Sequence, residues 1–235
     1  MNGKRIVIVI PTYNESSNVR DLVNRIVALD IPDLHLVIVD DSSPDGTGIL
    51  AHKLSQECPS FLTVLHQPIK LGLKSAYLVG FQEAFRNDAE IIVQMDADLS
   101  HPPEELPFLL GALENADLVI GSRYIHGGSL DKHWNKVRRL LSVTGNIYVR
   151  WATGLKLRDN TSGYKVFRTA ILNESDLRNL KCRGFAFQVE VNCLIHKRGF
   201  RIREYPINFH KRIRGESKLT WGIIWEAIWR LPMIR

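Results

Sequence analysis

Residues 91–103 read Ile-Ile-Val-Gln-Met-Asp-Ala-Asp-Leu-Ser-His-Pro-Pro, and this stretch decides the fold class of the chain. Its apolar start predicts a buried strand, which the two prolines prevent from continuing. Asp96 and Asp98 therefore stand where the strand ends and the backbone turns, so both carboxylates can reach one point. Such a pair at the carboxyl edge of an α/β sheet suits a divalent cation shared with substrate phosphates. An acidic turn that caps the next helix explains the same residues equally well.

Apolar, β-branched runs alternate with amphipathic segments over the first 120 residues. Strands are predicted over 5–10, 34–39, 62–66, 90–95 and 117–120, and helices over 19–27, 49–58, 72–85 and 106–114. This alternation predicts an α/β fold with a doubly wound, mostly parallel central sheet flanked by helices.

Polar residues concentrate after three of these strands, at Tyr13-Asn14-Glu15, Asp40-Asp41 and Asp96–Asp98. Loops at the carboxyl ends of parallel strands face one crevice, so we expect a nucleotide site with a metal beside it. The chain contains neither the dinucleotide fingerprint nor the P-loop motif. Metal and basic side chains must then hold the phosphates, which favours a nucleotide-sugar enzyme over an NTPase.

The net charge of +6 over 235 residues conceals two opposite halves. Residues 1–122 carry 17 acidic and 8 basic side chains, whereas residues 123–235 carry 8 acidic and 23 basic ones. The acidic half could hold a metal and the basic half could hold anions, although solvated surface charge and nucleic-acid binding are alternatives. The apolar runs are too short for a membrane span, the start does not read as a signal peptide, and three cysteines indicate a reducing compartment.

The basic half contains further candidate binding residues. Arg138 and Ser142 are four residues apart on a predicted helix and share a face, so they could hold one phosphate together. A polar turn at 159–164 precedes a strand over 165–167, a helix over 185–197, a strand over 200–205 and a basic loop over 209–218. A final helix over 219–235 carries Trp221, Trp225 and Trp229 on one face, which predicts either core packing or a membrane-interfacial helix.

The motifs together resemble glycosyltransferase family 2, which has the Rossmann-like GT-A fold, and within it the dolichyl- and polyprenyl-phosphate mannose synthases. The matching segments are Ile10-Pro-Thr-Tyr-Asn-Glu15, Val39-Asp-Asp41, Asp45-Gly-Thr47, Asp96-Ala-Asp98, His101-Pro-Pro-Glu104, Gly121-Ser-Arg-Tyr124, Arg138 to Ser142, Ser162-Gly163 and Arg212-Ile-Arg-Gly-Glu-Ser-Lys218. The resemblance implies a single catalytic domain over 1–218, with a nucleotide-sugar and metal half (1–122) and an acceptor half (123–218). Residues 219–235 would form an amphipathic C-terminal helix.

The resemblance also implies residue roles. The donor, a GDP-sugar, would contact Pro11, Tyr13, Glu15, Val39, Asp41, Asp96, Ala97, Asp98 and Lys218. A Mg²⁺ or Mn²⁺ ion would bind Asp96, Asp98 and Ser100, the last replacing a glutamine common in the family. The acceptor phosphate would contact Arg123, Arg138, Ser142 and Arg212, and the catalytic residues would be Asp98, Arg123 and Arg212. Lys74 and Ala186 also depart from the family pattern.

The implied reaction is an inverting, in-line transfer of mannose from GDP-mannose to dolichyl or polyprenyl phosphate. A phosphate acceptor is already anionic at neutral pH and needs arginines to position it rather than a base. The expected location is cytoplasmic, peripheral on the cytosolic face of a membrane, which leaves room for a separate membrane-anchoring subunit. Alternatives are a UDP-glucose or other donor, a saccharide acceptor, an inactive scaffold, or a nucleic-acid-binding protein. The last leaves the aspartates unexplained, so no nucleic-acid partner is expected.

Overall fold

The computed structural model describes residues 3–132, 134–212 and 221–234. The strands are β1 Ile6–Thr12, β2 Leu34–Asp40, β3 Leu62–His66, β4 Ile91–Gln94, β5 Leu118–Ser122, β6 Ser129–Leu130, β7 Lys165–Arg168, β8 Ile202–Pro206 and β9 Asn208–Phe209. The α-helices are α1 Val19–Val27, α2 Thr47–Glu57, α3 Leu73–Arg86, α4 Leu106–Ala112, α5 Lys136–Thr153, α6 Glu174–Asn179, α7 Gly184–Lys197 and α8 Trp221–Arg230.

Seven strands form one sheet in the order β3-β2-β1-β4-β7-β5-β8. Neighbouring strands are parallel except at β7, which runs antiparallel to both β4 and β5. The prediction of a mostly parallel sheet flanked by helices is therefore confirmed. Because β7 is reversed, the loop that precedes it reaches the same edge of the sheet at which β4 ends.

Helices cover both faces of the sheet, which explains why the strands are apolar at consecutive positions. In β1, Ile6, Ile8 and Ile10 pack against α1, α2 and α4, whereas Val7 and Val9 pack against α3 and α7 on the other face. Alternate side chains of a strand point to opposite faces, so continuous burial requires two covered faces. The carboxyl edge of the sheet lies between the two layers of helices.

The C-terminal helix α8 packs through Ala227 and, just after it, Leu231 against α5 and α7. The Tyr148 hydroxyl donates a hydrogen bond of 2.6 Å to the carbonyl of Ile228. Trp225 and Trp229 face outward, with 59% and 68% of their surface exposed. The prediction of core packing is therefore confirmed for one face of the helix, but Trp225 and Trp229 do not pack in the core.

The structure differs from the predicted elements in several places. The C-terminal α-helix ends at Arg230 and continues as a 3-10 turn, Leu231–Ile234, that includes Pro232. The sequence predicts a helix from Lys132, but α5 begins at Lys136, where the Asn135 side chain accepts a hydrogen bond from the Val137 amide and caps it. The sequence did not predict α6 or the β6–β9 pair. Among the described residues, no helix combines the length and hydropathy that crossing a membrane requires.

Candidate active site

Three strands of the sheet end in sharp backbone turns at its carboxyl edge. Asn14, Ser42 and Leu99 follow β1, β2 and β4, with φ angles of 55°, 60° and 60°. Residues other than glycine rarely adopt this left-handed conformation, which is concentrated at functional sites. The turns bring the polar residues after each strand toward the crevice that the sequence predicted.

Asp98 is buried, and both of its carboxylate oxygens have partners. Oδ1 accepts hydrogen bonds from the Ser100 amide at 3.0 Å and from the Ser100 hydroxyl at 2.5 Å. Oδ2 lies 2.5 Å from Nε of Arg212, a residue from the basic half of the chain. Asp98 is therefore the point where the predicted donor and acceptor residues meet.

Asp96 is more accessible than Asp98, and its surroundings hold it at the edge of β4. The Tyr77 hydroxyl donates to its Oδ1 at 3.4 Å, and Nδ1 of His101 lies 3.6 Å from its Oδ2. Gly163, in the loop before β7, approaches so closely that a Cβ atom would lie 2.9 Å from Asp96 Oδ1. Neither aspartate caps the following helical segment, whose N-cap is Pro102, so the helix-cap alternative is wrong.

His101 connects the acidic turn with the acceptor half, a role that the sequence did not predict. Its Nδ1 accepts a hydrogen bond of 3.3 Å from the Asp96 amide. Its ring packs 5.2 Å from each of the rings of Tyr164 and Phe209. Burial lowers the pKa of His101, although the charges of Asp96 and Asp98 oppose this. Its aromatic packing fixes the turn between the two aspartates and β9.

The residues of the acidic turn fit a divalent cation that is shared with a phosphorylated substrate. Asp96 and Asp98 supply hard carboxylate oxygens, and no group of three His, Cys, Asp or Glu side chains suited to a metal occurs in the described ranges. Magnesium commonly takes one or two carboxylates and completes its shell with water and substrate phosphates. The Ser100 hydroxyl directs its proton to Asp98, and its role as a third ligand stays a prediction.

The predicted donor residues lie around the ends of β1 and β2. Asp41 accepts hydrogen bonds from the amides of Leu71 and Gly72, at 2.7 and 2.8 Å, at the start of α3. The Tyr13 ring has Nζ of Lys70 3.6 Å from its centroid. Glu15 accepts a hydrogen bond of 2.8 Å from the Asn18 side chain. These contacts orient the three side chains at one end of the crevice.

The other residues predicted to contact the donor differ in which of their atoms a ligand could reach. The side chains of Val39 and Ala97 are buried in the two cores, so these residues could offer a ligand chiefly their backbone. Pro11 is half-buried. Lys218 lies outside the described residues. Lys74, a departure from the family pattern, reaches the carbonyl of Leu180.

Sequence reasoning missed Asp45 as the residue that joins the loops after β1 and β2. Its carboxylate accepts hydrogen bonds from the Thr47 amide, the Thr47 hydroxyl and the Ser16 amide, at 3.0, 2.5 and 3.0 Å. Burial opposes ionisation, but these hydrogen bonds lower the pKa of Asp45. The Asp-Gly-Thr signal that could have revealed this role was quoted only as part of the family pattern.

Arg123, predicted to bind the acceptor phosphate, has only 9% of its side chain exposed and is ion-paired with Asp159. Its Nε and Nη2 atoms each lie 2.6 Å from a different oxygen of Asp159, and Nη2 also donates to Thr161. Burial opposes both charges, but their attraction raises the pKa of Arg123 and lowers that of Asp159. Asp159 was not predicted individually, although the polar turn that contains it was noted.

The other acceptor residues lie near Arg123. Arg138 packs over the Trp134 ring, with the guanidinium carbon 4.6 Å from the centroid. Partial burial and the positive charges of Arg212 and Arg123 lower the pKa of Arg138. Ser142 accepts a hydrogen bond of 2.7 Å from the Tyr124 hydroxyl. The structure thus gathers three arginines from separate parts of the chain beside the acidic turn.

Comparison with known proteins agrees with this geometry. The family model described as glycosyl transferase family 2 matches residues 7–176. The chain is 41% identical over 229 residues to the polyprenol monophosphomannose synthase of Mycolicibacterium smegmatis, covering 97% of this chain and 86% of that protein. It is 42% identical over 224 residues to the undecaprenyl-phosphate mannosyltransferase of Micrococcus luteus, covering 95% and 91%.

Solved structures show the same fold at lower identity. The mannosyltransferase from Pyrobaculum calidifontis in complex with GDP-Man and Mn²⁺ has a TM-score of 0.62 and 21% identity, covering 91% of this chain and 58% of that chain. The resemblance inferred from the motifs is confirmed. Because the family match covers more than half of the sequence and both relatives exceed 40% identity along nearly all of it, the chain is a glycosyltransferase that belongs to glycosyl transferase family 2.

Proposed function

We propose that this enzyme transfers mannose from GDP-mannose to the phosphate of a polyprenyl or dolichyl lipid, with inversion. The observation that carries the proposal is the contact of Arg212 with Asp98, together with Arg138 and Arg123, whose charges act on one another and on the acidic turn. The names of the two relatives, both mannose-transferring enzymes for polyprenyl-type phosphates, support the same acceptor class.

On the donor side, Asp96 and Asp98 would hold Mg²⁺ or Mn²⁺ together with the diphosphate of the nucleotide sugar. When bound, the cation supplies positive charge that stabilises the departing nucleoside diphosphate. Tyr13, Glu15 and Asp41 would orient the nucleoside at the other end of the crevice. The GDP-Man and Mn²⁺ complex of the Pyrobaculum neighbour supports a divalent cation and this donor class.

On the acceptor side, the arginine cluster would hold the lipid phosphate. Partial burial and then the positive charge of Arg212 lower the pKa of Arg138, and a bound anion would relieve the repulsion between the two guanidinium groups. Arg123 is largely neutralised by Asp159, so the cluster does not carry three uncompensated charges. This balance suits a nucleophile that must be positioned while its oxygen stays reactive.

The lipid would approach along the exposed apolar side chains of α5, α8 and the turn after α8, which we call the apolar face. Its exposed side chains are Val137, Leu140, Leu141, Ile147, Trp151, Trp225, Ile228, Trp229 and Met233. Exposed apolar side chains of this kind mark interaction sites, and indoles favour the headgroup region of membranes. Arg138 and Ser142 lie on α5 itself, so a phosphate there could remain attached to a chain in the membrane. We propose that this face rests on the cytosolic surface of a membrane.

The test is transfer of radiolabel from GDP-mannose to a short polyprenyl phosphate in liposomes with Mn²⁺ or Mg²⁺. We expect lipid-extractable label, its loss in Asp98→Asn, and weaker transfer from UDP-glucose. Preferential use of UDP-glucose would contradict the donor assignment. Label that accumulates on a soluble saccharide instead of the lipid would contradict the acceptor. An unchanged acceptor KM in Arg138→Gln, compared with Arg178→Gln on exposed α6, would contradict the phosphate site.

A further inference from the structure

The contact between Arg212 and Asp98 joins two residues that serve different substrates in the proposed reaction. The Arg212 Nε atom lies 2.5 Å from Asp98 Oδ2, while Ser100 occupies Asp98 Oδ1. The side chain of Asp98 is 5% exposed and that of Arg212 is 26% exposed. A charge-assisted pair so close and so little hydrated holds both groups firmly.

We infer that Arg212 is the cation that neutralises Asp98 until a divalent metal arrives, and that metal binding releases Arg212 toward the acceptor phosphate. The inference rests on the proposed function, because it takes Asp98 as a metal ligand. A metal ion bound to Asp98 would repel a guanidinium at 2.5 Å. The two cations therefore compete for one carboxylate.

The backbone around Arg212 allows the side chain to move without the loop leaving the site. The His210 amide donates to the Ser100 carbonyl at 3.0 Å, and the Lys211 amide donates to Asp131 at 3.2 Å. Phe209 packs edge-on against both His101 and Trp134. The chain is thus anchored on the residue pair immediately before Arg212, and a guanidinium displaced from Asp98 remains close to the active site.

Arg138, toward which a released Arg212 would move, is itself positively charged. Partial burial lowers the pKa of Arg138, and the charge of Arg212 lowers it further, so the two guanidinium groups act on each other in the present arrangement. Bringing Arg212 nearer to Arg138 without an anion would increase their repulsion. The released Arg212 is therefore accommodated best when a phosphate binds between the arginines. This favours binding of the metal and donor before the lipid phosphate.

The coupling must be reciprocal, because each ligand changes the affinity for the other by the same factor. A metal on Asp98 makes Arg212 available and strengthens phosphate binding. A phosphate that holds Arg212 away from Asp98 strengthens metal binding equally. The enzyme would thereby avoid holding an acceptor phosphate tightly while the donor site is empty.

The first test measures Mn²⁺ binding to the full chain without nucleotide, from the electron paramagnetic resonance signal of free Mn²⁺. Arg212→Gln should bind Mn²⁺ about five-fold more tightly or better than the wild type, at the lower end of typical coupling between sites. Arg138→Gln is the matched control, because it removes the same charge near Asp98 without a direct contact. It should tighten Mn²⁺ binding clearly less. Arg212→Lys, which retains the charge, should bind Mn²⁺ less tightly than Arg212→Gln.

The outcomes separate this inference from the metal site on which it rests. If Asp98→Asn binds Mn²⁺ as tightly as the wild type, Asp98 is not a metal ligand, and the proposed competition is wrong as well. If binding depends on Asp98 but Arg212→Gln gains no more than Arg138→Gln, the competition alone is overturned. A second readout is calorimetric binding of geranyl phosphate, which Mn²⁺ and GDP should strengthen in the wild type. Equal strengthening in Arg212→Gln would also overturn the inference. Circular dichroism melting confirms that each variant is folded.

Discussion

Replacing Asp159 by asparagine should strongly destabilise the fold, because it leaves Arg123 buried beside a neutral partner. Asp159 is fully buried, and its carboxylate accepts hydrogen bonds from Nε, Nη2 and the amide of Arg123. Breaking a buried ion pair by removing one partner typically costs about 3–5 kcal/mol. Since asparagine keeps one acceptor oxygen, we expect a loss of about 3 kcal/mol for Asp159→Asn.

The assay is the free energy of unfolding in urea, measured with Arg178→Gln as the control. Arg178 pairs with Glu174 at 2.9 Å on the surface of α6, and such exposed pairs contribute about 0.3–0.5 kcal/mol. The double variant Arg123→Gln/Asp159→Asn should recover part of the loss, because the unpaired charge is gone. A loss below about 1 kcal/mol in Asp159→Asn would refute the reasoning. So would a double variant whose loss of stability exceeds the sum of the losses in the two single variants.

Acid titration gives an independent check of the same pair. The pKa of Asp159 is lowered in the folded protein by Arg123, against the opposing effect of burial. A carboxyl whose folded pKa is depressed contributes stability above its unfolded pKa, and the protein loses that stability as the pH falls through the folded value. The stability difference between wild type and Asp159→Asn should therefore persist at neutral pH and shrink below the ordinary range of aspartate. A difference that stayed constant into strong acid would count against the ion pair as its source.

Three further perturbations test other parts of the structure. Gly163→Ala should weaken Mn²⁺ binding, because the added Cβ would lie 2.9 Å from Asp96 Oδ1. Gly145→Ala is the control, because its Cβ would meet no atom within 4 Å. Equal Mn²⁺ affinities of the two variants would contradict the close contact with Asp96. Trp229→Ser should reduce cosedimentation with anionic vesicles several-fold. Ile49→Ser, which replaces an exposed apolar residue on α2, should leave it unchanged. Equal losses in both variants would contradict membrane binding through the apolar face. Burial lowers the pKa of Lys165 to about 7, so above that pH the unfolded chain binds more protons than the folded one. The free energy of unfolding of the wild type, measured in urea, should therefore rise between pH 7 and 10 relative to that of Lys165→Met. A fall over the same range would contradict the lowered pKa.

The sequence was sufficient to predict the sheet and the acidic turn because both depend on local signals. The β-branched runs located β1 and β4, although Pro11 does not end β1, which pairs with β2 as far as Thr12, and β4 already ends at Gln94, before Pro102. Carboxyl ends of parallel strands share one edge, so the three polar loops could be assigned to one crevice. These inferences need no knowledge of which strands are neighbours.

The partners within the site could not be predicted, because they depend on long-range pairing. Arg123 and Asp159 are 36 residues apart, and Arg212 follows Asp98 by more than 100. The family resemblance identified both arginines as candidates but could not reveal that each already faces a carboxylate. His101 was read as part of a strand end, since a lone histidine beside prolines carries no signal of its aromatic packing.

The reversed strand β7 has a consequence for how the gene could be divided. It comes from the second half of the sequence, yet it pairs with β4 on one side and β5 on the other. A fragment ending after Ser122 would leave both strands with unpaired hydrogen-bonding edges in the middle of what should be one sheet. The acidic and basic halves are thus distinct in charge but inseparable in folding. Recombination that exchanged the acceptor half between relatives would have to preserve the pairing of β7 with both of its neighbours.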